Sequence, residues 1–566
     1  MRAMLLYRLY RKVMCGILGL YSFGGEVPIE IVMRGLDAMR ERGTPHGAGV
    51  ALYRPSDRPR IKAFSHRPIG DKYIKLDNDV YDVELETPTN IEGYIYLNSK
   101  WIDVYKVVGW PTDITRTYGI GGLTSRVWIG HTRYPTNSPG RLPYYSHPFT
   151  AGDVAIVHNG DLSSYGANVN FIKYRAHAKF TGNDSEAIAY LLSFLVGELG
   201  VEEAVEELMY GRRYRWARLD GPYAVAFIIG GSRPVFGAFV DPQHFRPLYV
   251  GMADSLLIVA SEAAAVKAVE PRANVWALRG GEYVIVDGDE IYGNYRRRYV
   301  YPELPQPPQV AIDASLYDAV SLAPVVRAEL EKRGEVEVVN VNGHRYLGNG
   351  MSSGSLKVWG IVGNASANVM SGGTFLVYGD VQDDFGDAMN GGTAVIYGNA
   401  GDALGQAKRG GEIYVYGDVG TRAAIQHRGG VLIVGGSAGK YLGEYMGGGL
   451  VVVLRATNDE EIGDMIARGM VGGEIYIRGE VPREYISRVD RRALERYARS
   501  LLMDGLIDGE RYTQLLEEGD SLVVEQRELS EEELIKLNQY INKFNKLFNL
   551  NINIRRDIFT IIKPRA

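Results

Sequence analysis

Apolar positions in the second half of the chain recur at a fixed interval. The rungs Leu356/Val358, Phe375/Val377, Ala394/Ile396, Ile413/Val415, Leu432/Val434 and Leu450/Val452 alternate with other residues, as in strands with one buried face. A second ladder keeps the same period at Val362, Val381, Ala400, Val419 and Ala438. Gly-Gly pairs fall at 372–373, 391–392, 410–411, 429–430 and 447–448, spaced 19, 19, 19 and 18, with Gly354 one period ahead of Gly373. Two short strands per coil with glycine at the corners predict a β-solenoid, a right-handed parallel β-helix over residues 336–480. The glycines do not read as a phosphate cradle, because no Lys-Ser/Thr partner or strand–helix setting accompanies them.

The first half has no such repeat. Residues 17–21 read as a strand with Cys15 at its tip, and Ile31, Met33, Leu36 and Met39 fall at helical spacing over 28–42. A strand is expected over 49–53 and a helix over 187–195. Residues 54–120 are rich in Tyr, Asp and Pro, match no pattern and are expected to be an insertion. A Pro-rich linker at 303–309 and a helical stretch at 316–332 make up a connecting segment, 303–335. A charged helical tail is expected over 481–566, with Ser530 capping a helix that runs to about Phe548. Residues 558–565 read as a terminal strand or docking peptide, or as a cap on the solenoid.

At 566 residues the chain exceeds one core, and two or three domains are expected. A composition of 46% hydrophobic and 23% charged residues is that of a globular protein. A net charge of −5 makes no electrostatic case for nucleic acid or an anionic membrane. No apolar run approaches the roughly 20 residues of a membrane helix. Residues 1–13 are basic and partly apolar but too short in apolar length for a signal peptide; 1–14 are read as a propeptide or a misassigned start, and the chain as cytoplasmic.

Cys15 is the only cysteine. It forms no internal disulfide and is too few ligands for a metal centre, so no metal is expected; it is either a small buried residue or a reactive thiol. Removal of residues 1–14 would give it a free α-amine, a base built into the nucleophile itself. Arg133, in Gly130-His131-Thr132-Arg133, suits a bidentate grip on a carboxylate or a surface ion pair. Asn159-Gly160, after Ile156-Val157-His158, offers two oxyanion donors or a tight hairpin turn. Asp184 and Ser185 suit helix caps, and Arg42-Gly43 suits a turn into the next strand.

Taken in this order, Cys15-Gly16-Ile17-Leu18-Gly19, the Arg133 segment, Ser146-His147-Pro148-Phe149, His158-Asn159-Gly160 and Asn183-Asp184 resemble a class II glutamine amidotransferase, an N-terminal-nucleophile hydrolase. The resemblance implies a four-layer αββα domain over 15–302 that releases ammonia from glutamine. It makes Cys15 the nucleophile, Asn159 and Gly160 the oxyanion donors, and Arg133, Asp184, His147 and Arg42 substrate-binding residues. Residues 219–227, 241–248 and 260–262 are assigned to core strands and turns of that sandwich. The solenoid resembles the GXGXG C-terminal domain of the glutamate synthase large subunit. The chain thus resembles such a subunit without its central flavin domain, so FMN and an iron–sulfur cluster are expected on a separate partner in a hetero-oligomer, with 2-oxoglutarate as acceptor and no cofactor in this chain. A different acceptor (as in an N-methylglutamate-synthase-like enzyme) and an inactive solenoid scaffold are the alternatives.

Overall fold

The computed structural model describes residues 14–87, 93–135, 142–176, 182–296, 302–458, 460–487, 491–503, 505, 507–518 and 522–565. The segment 1–13 and the stretch Thr136-Asn137-Ser138 lie outside the described residues. The chain divides into two compact units, Met1–Tyr299 and Val300–Ala566.

In the first unit, β1 (Gly16–Ser22) pairs antiparallel with Leu256–Ala260 on one side and with β2 (Val127–Thr132) on the other. They are the central strands of a seven-stranded sheet that runs Asn274–Ala277, Tyr249–Ala253, Leu256–Ala260, β1, β2, Ala48–Tyr53, Ile102–Val107. A second, six-stranded sheet contains β3 (Val154–Gly160), which pairs antiparallel with Tyr223–Ile229. The helix α1 (Ile29–Asp37) covers the outer face of the first sheet. It lies close to β1 because residue 35 is glycine: a Cβ there would come within 2.6 Å of Val269 and 2.9 Å of Leu18.

Alternation along the strands sorts residues between the layers. Ile17, Tyr21, Val127 and Ile129 meet Ala155, Val157, Ala226 and Phe236 between the two sheets. Ile156, Val225 and Phe227 point outward against Leu191, Leu192 and Leu195 of α2 (Asp184–Leu199). The unit is therefore the αββα sandwich that the sequence leads one to expect.

Residues 54–120 supply a four-stranded antiparallel sheet in the order Tyr73–Lys75, Tyr81–Leu85, Arg60–Ser65, Gly93–Ser99. It carries a buried polar cluster that no periodicity announced. Tyr96 and Tyr118 donate to Asp82, Lys62 pairs with Asp103 at 2.6 Å, and the Tyr94 hydroxyl donates to Glu186 on α2.

The second unit is a parallel β-solenoid from Glu335–His344 through Gly472–Arg478. Successive coils pair in register, Leu356 with Phe375, Phe375 with Ala394, Ala394 with Ile413 and Ile413 with Leu432. The second ladder appears as parallel bridges from Val362 through Val381, Ala400 and Val419 to Ala438. One sequence expectation shifts by a residue. Leu432 pairs with Val451 and Val434 with Val453, so the last rung is Val451/Val453, while Leu450 and Val452 face outward. The reason lies in the backbone. The second glycine of each pair has a left-handed φ, 78° at Gly373, 82° at Gly392, 73° at Gly411 and 79° at Gly430. The run Gly447-Gly448-Gly449 allows two pairings, and the φ of 85° falls at Gly449, which restores a spacing of 19 from Gly430.

Inside the solenoid a column at the same period reads Met351, Met370, Met389, Lys408, His427, Met446, all buried. A Cβ at Gly373 would lie 2.5 Å from Met351 Cε, one at Gly392 2.7 Å from Met370 Cε and one at Gly473 2.5 Å from Met446 Cε, so these three side chains tuck beneath the next coil's glycine. Lys408 takes the same path and donates from Nζ to the Gly411 carbonyl at 2.6 Å. The tail is not helical alone. Leu522–Glu528 and Ile558–Pro564 add antiparallel to the last coil. The helix α3 (Glu531–Phe548), capped by Ser530 and Glu533, lays Leu537, Ile541, Phe544 and Phe548 on the solenoid's outer face. Among the described residues no helix is long and apolar enough to cross a membrane.

Candidate active site

Cys15 stands at the entry to β1, where Gly16 pairs with Thr132 at the end of β2. The chain leaves β2 as Arg133-Tyr134, and the Tyr134 backbone N–H donates to Cys15 Sγ at 3.2 Å. On the far side Ser261 Oγ accepts from the Ile17 N–H at 3.0 Å. The thiol thus sits against the Tyr134 backbone, and Ser261 holds the strand two residues further on.

A cavity of about 300 Å³ opens onto Sγ. Cys15, Arg133, His147, Gly160 and Asp184, five of the sequence-derived candidates, line it together. Each arrives on a different element. Gly160 ends β3 with φ 154°, and a Cβ there would collide with the Pro222 carbonyl, so only glycine leaves that wall open. Asp184 is the first residue of α2, with Asn183 as its N-cap. Its Oδ2 accepts from the Leu162 N–H at 3.0 Å and its Oδ1 from the Ser185 N–H at 2.8 Å, which fixes the carboxylate at the positive end of the helix.

Asn159 is not part of the cavity lining, but it is buried, and its Nδ2 has no hydrogen-bond partner among the described residues. Arg42 differs from expectation. It does not line the cavity; its Nε donates to the Cys15 carbonyl at 3.1 Å and its Nη1 pairs with Glu262 at 3.2 Å. A buried pair of this kind holds the backbone of residue 15 rather than reaching toward a ligand.

The electrostatics follow from burial. The Cys15 thiol is pushed up by loss of solvent, against which the Tyr134 N–H, Arg133, Arg42 and Arg246 pull down. His147 stacks on His131 with ring centroids 3.9 Å apart, and His158 lies 6.5 Å from His147. Burial drives His131 down to about 3 and lowers His147 and His158, so His147 presents a neutral ring to the cavity.

Sequence reasoning missed four residues. Asp161 and Tyr165 line the cavity just after Gly160. Glu262 and Arg246 come from the segments assigned above to core strands and turns, which they are, but their side chains reach the surroundings of residue 15. Arg246 Nη1 lies 2.9 Å from Met14 Sδ, and its Nη2 lies 3.9 Å from Asp161. The motif order gave Arg246-Pro247-Leu248 and Ser261-Glu262, but nothing local showed that their side chains turn toward residue 15.

Residues 336–548 match the GXGXG motif family. A putative glutamine amidotransferase of Methanothermobacter thermautotrophicus is 27% identical over 316 residues, 48% of this chain and 98% of its own length. An amidophosphoribosyltransferase of Archaeoglobus fulgidus is 25% identical over 276 residues, 48% of this chain and 46% of the relative. Of other curated relatives the chain spans between 30% and 62%. Among solved structures, glutamine phosphoribosylpyrophosphate amidotransferase from B. subtilis aligns with a TM-score of 0.35 at 19% identity, over 51% of this chain and 50% of that one. The first unit is thus similar in sequence to glutamine amidotransferases, and residues 336–548 of the second carry the GXGXG motif.

Proposed function

We propose that this chain is the glutaminase and scaffold subunit of a glutamate-synthase-like complex. The observation that carries the reading is the convergence of Cys15, Gly160, Arg133 and Asp184 on one cavity. A thiol, a backbone donor, a guanidinium and a carboxylate are the groups a free α-amino acid amide requires.

In this mechanism residues 1–14 are removed and Cys15 begins the working chain. Its α-amine takes the thiol proton as Sγ attacks the side-chain amide carbon of glutamine. The oxyanion that forms is met by the Gly160 N–H and by Asn159 Nδ2, whose lack of another partner suits the task. Arg133 takes the α-carboxylate and Asp184 the α-ammonium. The amine returns its proton to the leaving nitrogen, ammonia departs, and water releases glutamate from the thioester. The neutral His147 ring adds shape without a competing charge. The ammonia passes to a separate subunit that holds flavin and an iron–sulfur centre and aminates 2-oxoglutarate; the GXGXG unit is the platform for that partner.

The test uses the chain purified from its native source. Its first residue is read by intact mass, and glutamate release is measured with and without Cys15→Ala. A chain that begins at Cys15 and loses all glutamate release on that substitution supports the reading. Retention of residues 1–14 removes the base and leaves the scaffold role. Two glutamates formed per glutamine, dependent on 2-oxoglutarate and a co-purifying flavoprotein, test the acceptor.

A further inference from the structure

Resting on the glutaminase reading above, we propose that Arg246 is a positioning residue of the half-reaction: it flanks the amino end of residue 15 and keeps the α-amine of a processed Cys15 in its free-base form near neutral pH.

Two guanidiniums bracket residue 15. Arg42 Nε holds the Cys15 carbonyl at 3.1 Å, and Arg246 Nη1 rests on the side chain of the preceding residue, 2.9 Å from Met14 Sδ. Arg133 is the third cation whose field reaches the thiol. Their neutralisation differs. Arg42 is ion-paired with Glu262 at 3.2 Å, both side chains buried. The carboxylate nearest Arg246 is that of Asp161 at 3.9 Å, beyond hydrogen-bond length, and Asp241 acts on it from further away. Asp184 spends its oxygens on backbone N–H groups. His131, His147 and His158 are kept neutral by burial and add no charge, and Tyr134 contributes only its backbone N–H. Of the two guanidiniums that bracket residue 15, Arg246 is therefore the less closely paired.

Cleavage after Met14 removes the thioether but not the arginine. Arg246 stays anchored by Leu248, which is fully buried, at the head of the strand Tyr249–Ala253. An ordinary α-amine titrates at about 7.7–8.0, so at neutral pH most of it is ammonium and takes no proton. A like charge beside it disfavours that ammonium, by about one pH unit or more at close range. The free base then accepts the Sγ proton while the S–C bond forms. The same proton leaves with the nitrogen as the C–N bond breaks, giving thioester and ammonia in balance.

The single cysteine makes the test direct, because [13C,15N]cysteine labels residue 15 alone. The chain is translated from Met14, loss of Met14 is checked by intact mass, and the α-nitrogen shift, read through Cα, is followed against pH. Arg246→Gln should raise the amine midpoint by about one unit. Arg246→Lys should restore it to within a few tenths, and Asp161→Asn should lower it. The acid limb of kcat/KM for glutamate release should move with the midpoint, a change that mere loss of packing does not produce. An unmoved midpoint in folded Arg246→Gln overturns the proposal. If that variant does not fold, Asp161→Asn decides: no downward shift overturns it as well. A shifted midpoint in a chain that releases no glutamate at any pH refutes the glutaminase reading instead. Hydrolysis with an unmoved midpoint refutes this inference alone.

Discussion

Lys408 occupies a place in the solenoid where Met351, Met370, Met389 and Met446 stand in other coils, and substitution to Met should stabilise the protein. The side chain is fully buried, and loss of solvent pushes its ammonium from 10.5 to about 7, with only Glu412 pulling the other way. A displacement of that size corresponds to roughly 5 kcal/mol as an upper limit. Against it stand the hydrogen bonds from Nζ to the carbonyls of Gly411 and Gly429, worth about 1 kcal/mol each. Lys408→Met, with a Cε able to lie beneath Gly430 as Met370 does beneath Gly392, should therefore gain about 2–3 kcal/mol near pH 7, or roughly 5–10 °C in the melting of the solenoid unit. The pH dependence gives a second readout. The folded group loses its proton near 7 and the unfolded one near 10.5, so between these values the unfolded chain binds more protons and stability rises with pH. The native chain should thus melt higher at pH 9.5 than at pH 7.5, and Lys408→Met should flatten that difference. Calorimetry of the full chain at the two pH values measures both. A melting temperature that falls at pH 7.5, or a pH difference that survives the substitution, would refute the reasoning that the buried ammonium is a cost rather than a support.

Asn159→Ala should lower kcat for glutamate release by about 10²–10³ with KM within a few-fold, as for loss of one oxyanion donor; a drop under tenfold in steady-state assays removes Asn159 from that role. Tyr94→Phe deletes the hydroxyl through which the four-stranded sheet holds Glu186, two residues beyond Asp184. KM for glutamine should rise by about 3–10-fold with little change in kcat, since a typical intramolecular hydrogen bond is worth about 0.5–1.5 kcal/mol; an unchanged KM would separate the four-stranded sheet from the site. Phe544→Ala opens a void where α3 meets the solenoid and should cost about 3–5 kcal/mol. Hydrogen exchange across Glu531–Phe548 should then quicken, and protection equal to that of the native chain would mean the helix is not held by this contact.

What the sequence disclosed and what it hid divide along a physical line. The solenoid was legible because every coil repeats the same local requirement: a left-handed glycine, then alternate inward side chains. The one slip came at Gly447–Gly449, where three glycines meet that requirement twice and only register against Leu432 and Val434 chooses. The methionine column was hidden by Lys408 and His427, because a polar letter in an apolar column looks like the end of the column; burial, not composition, shows that it continues. At the site, the groups that face the cavity were carried by short motifs, because Cys15, Arg133, His147, Gly160 and Asp184 each stand at or beside the end of a strand or helix that its local pattern announces. The groups that hold residue 15 were not. Glu262 meets Arg42 across 220 residues, and Arg246 meets Met14 across 232. Their partners are set by antiparallel packing of β1 beside Leu256–Ala260, which no window of local pattern contains. Arg42 shows the consequence. The resemblance made it a ligand for substrate, yet the carboxylate that fixes its direction is that of Glu262, 220 residues away, and it turns to the backbone of Cys15 instead. In this chain the chemistry is written locally, and the charges that tune it are written in the topology.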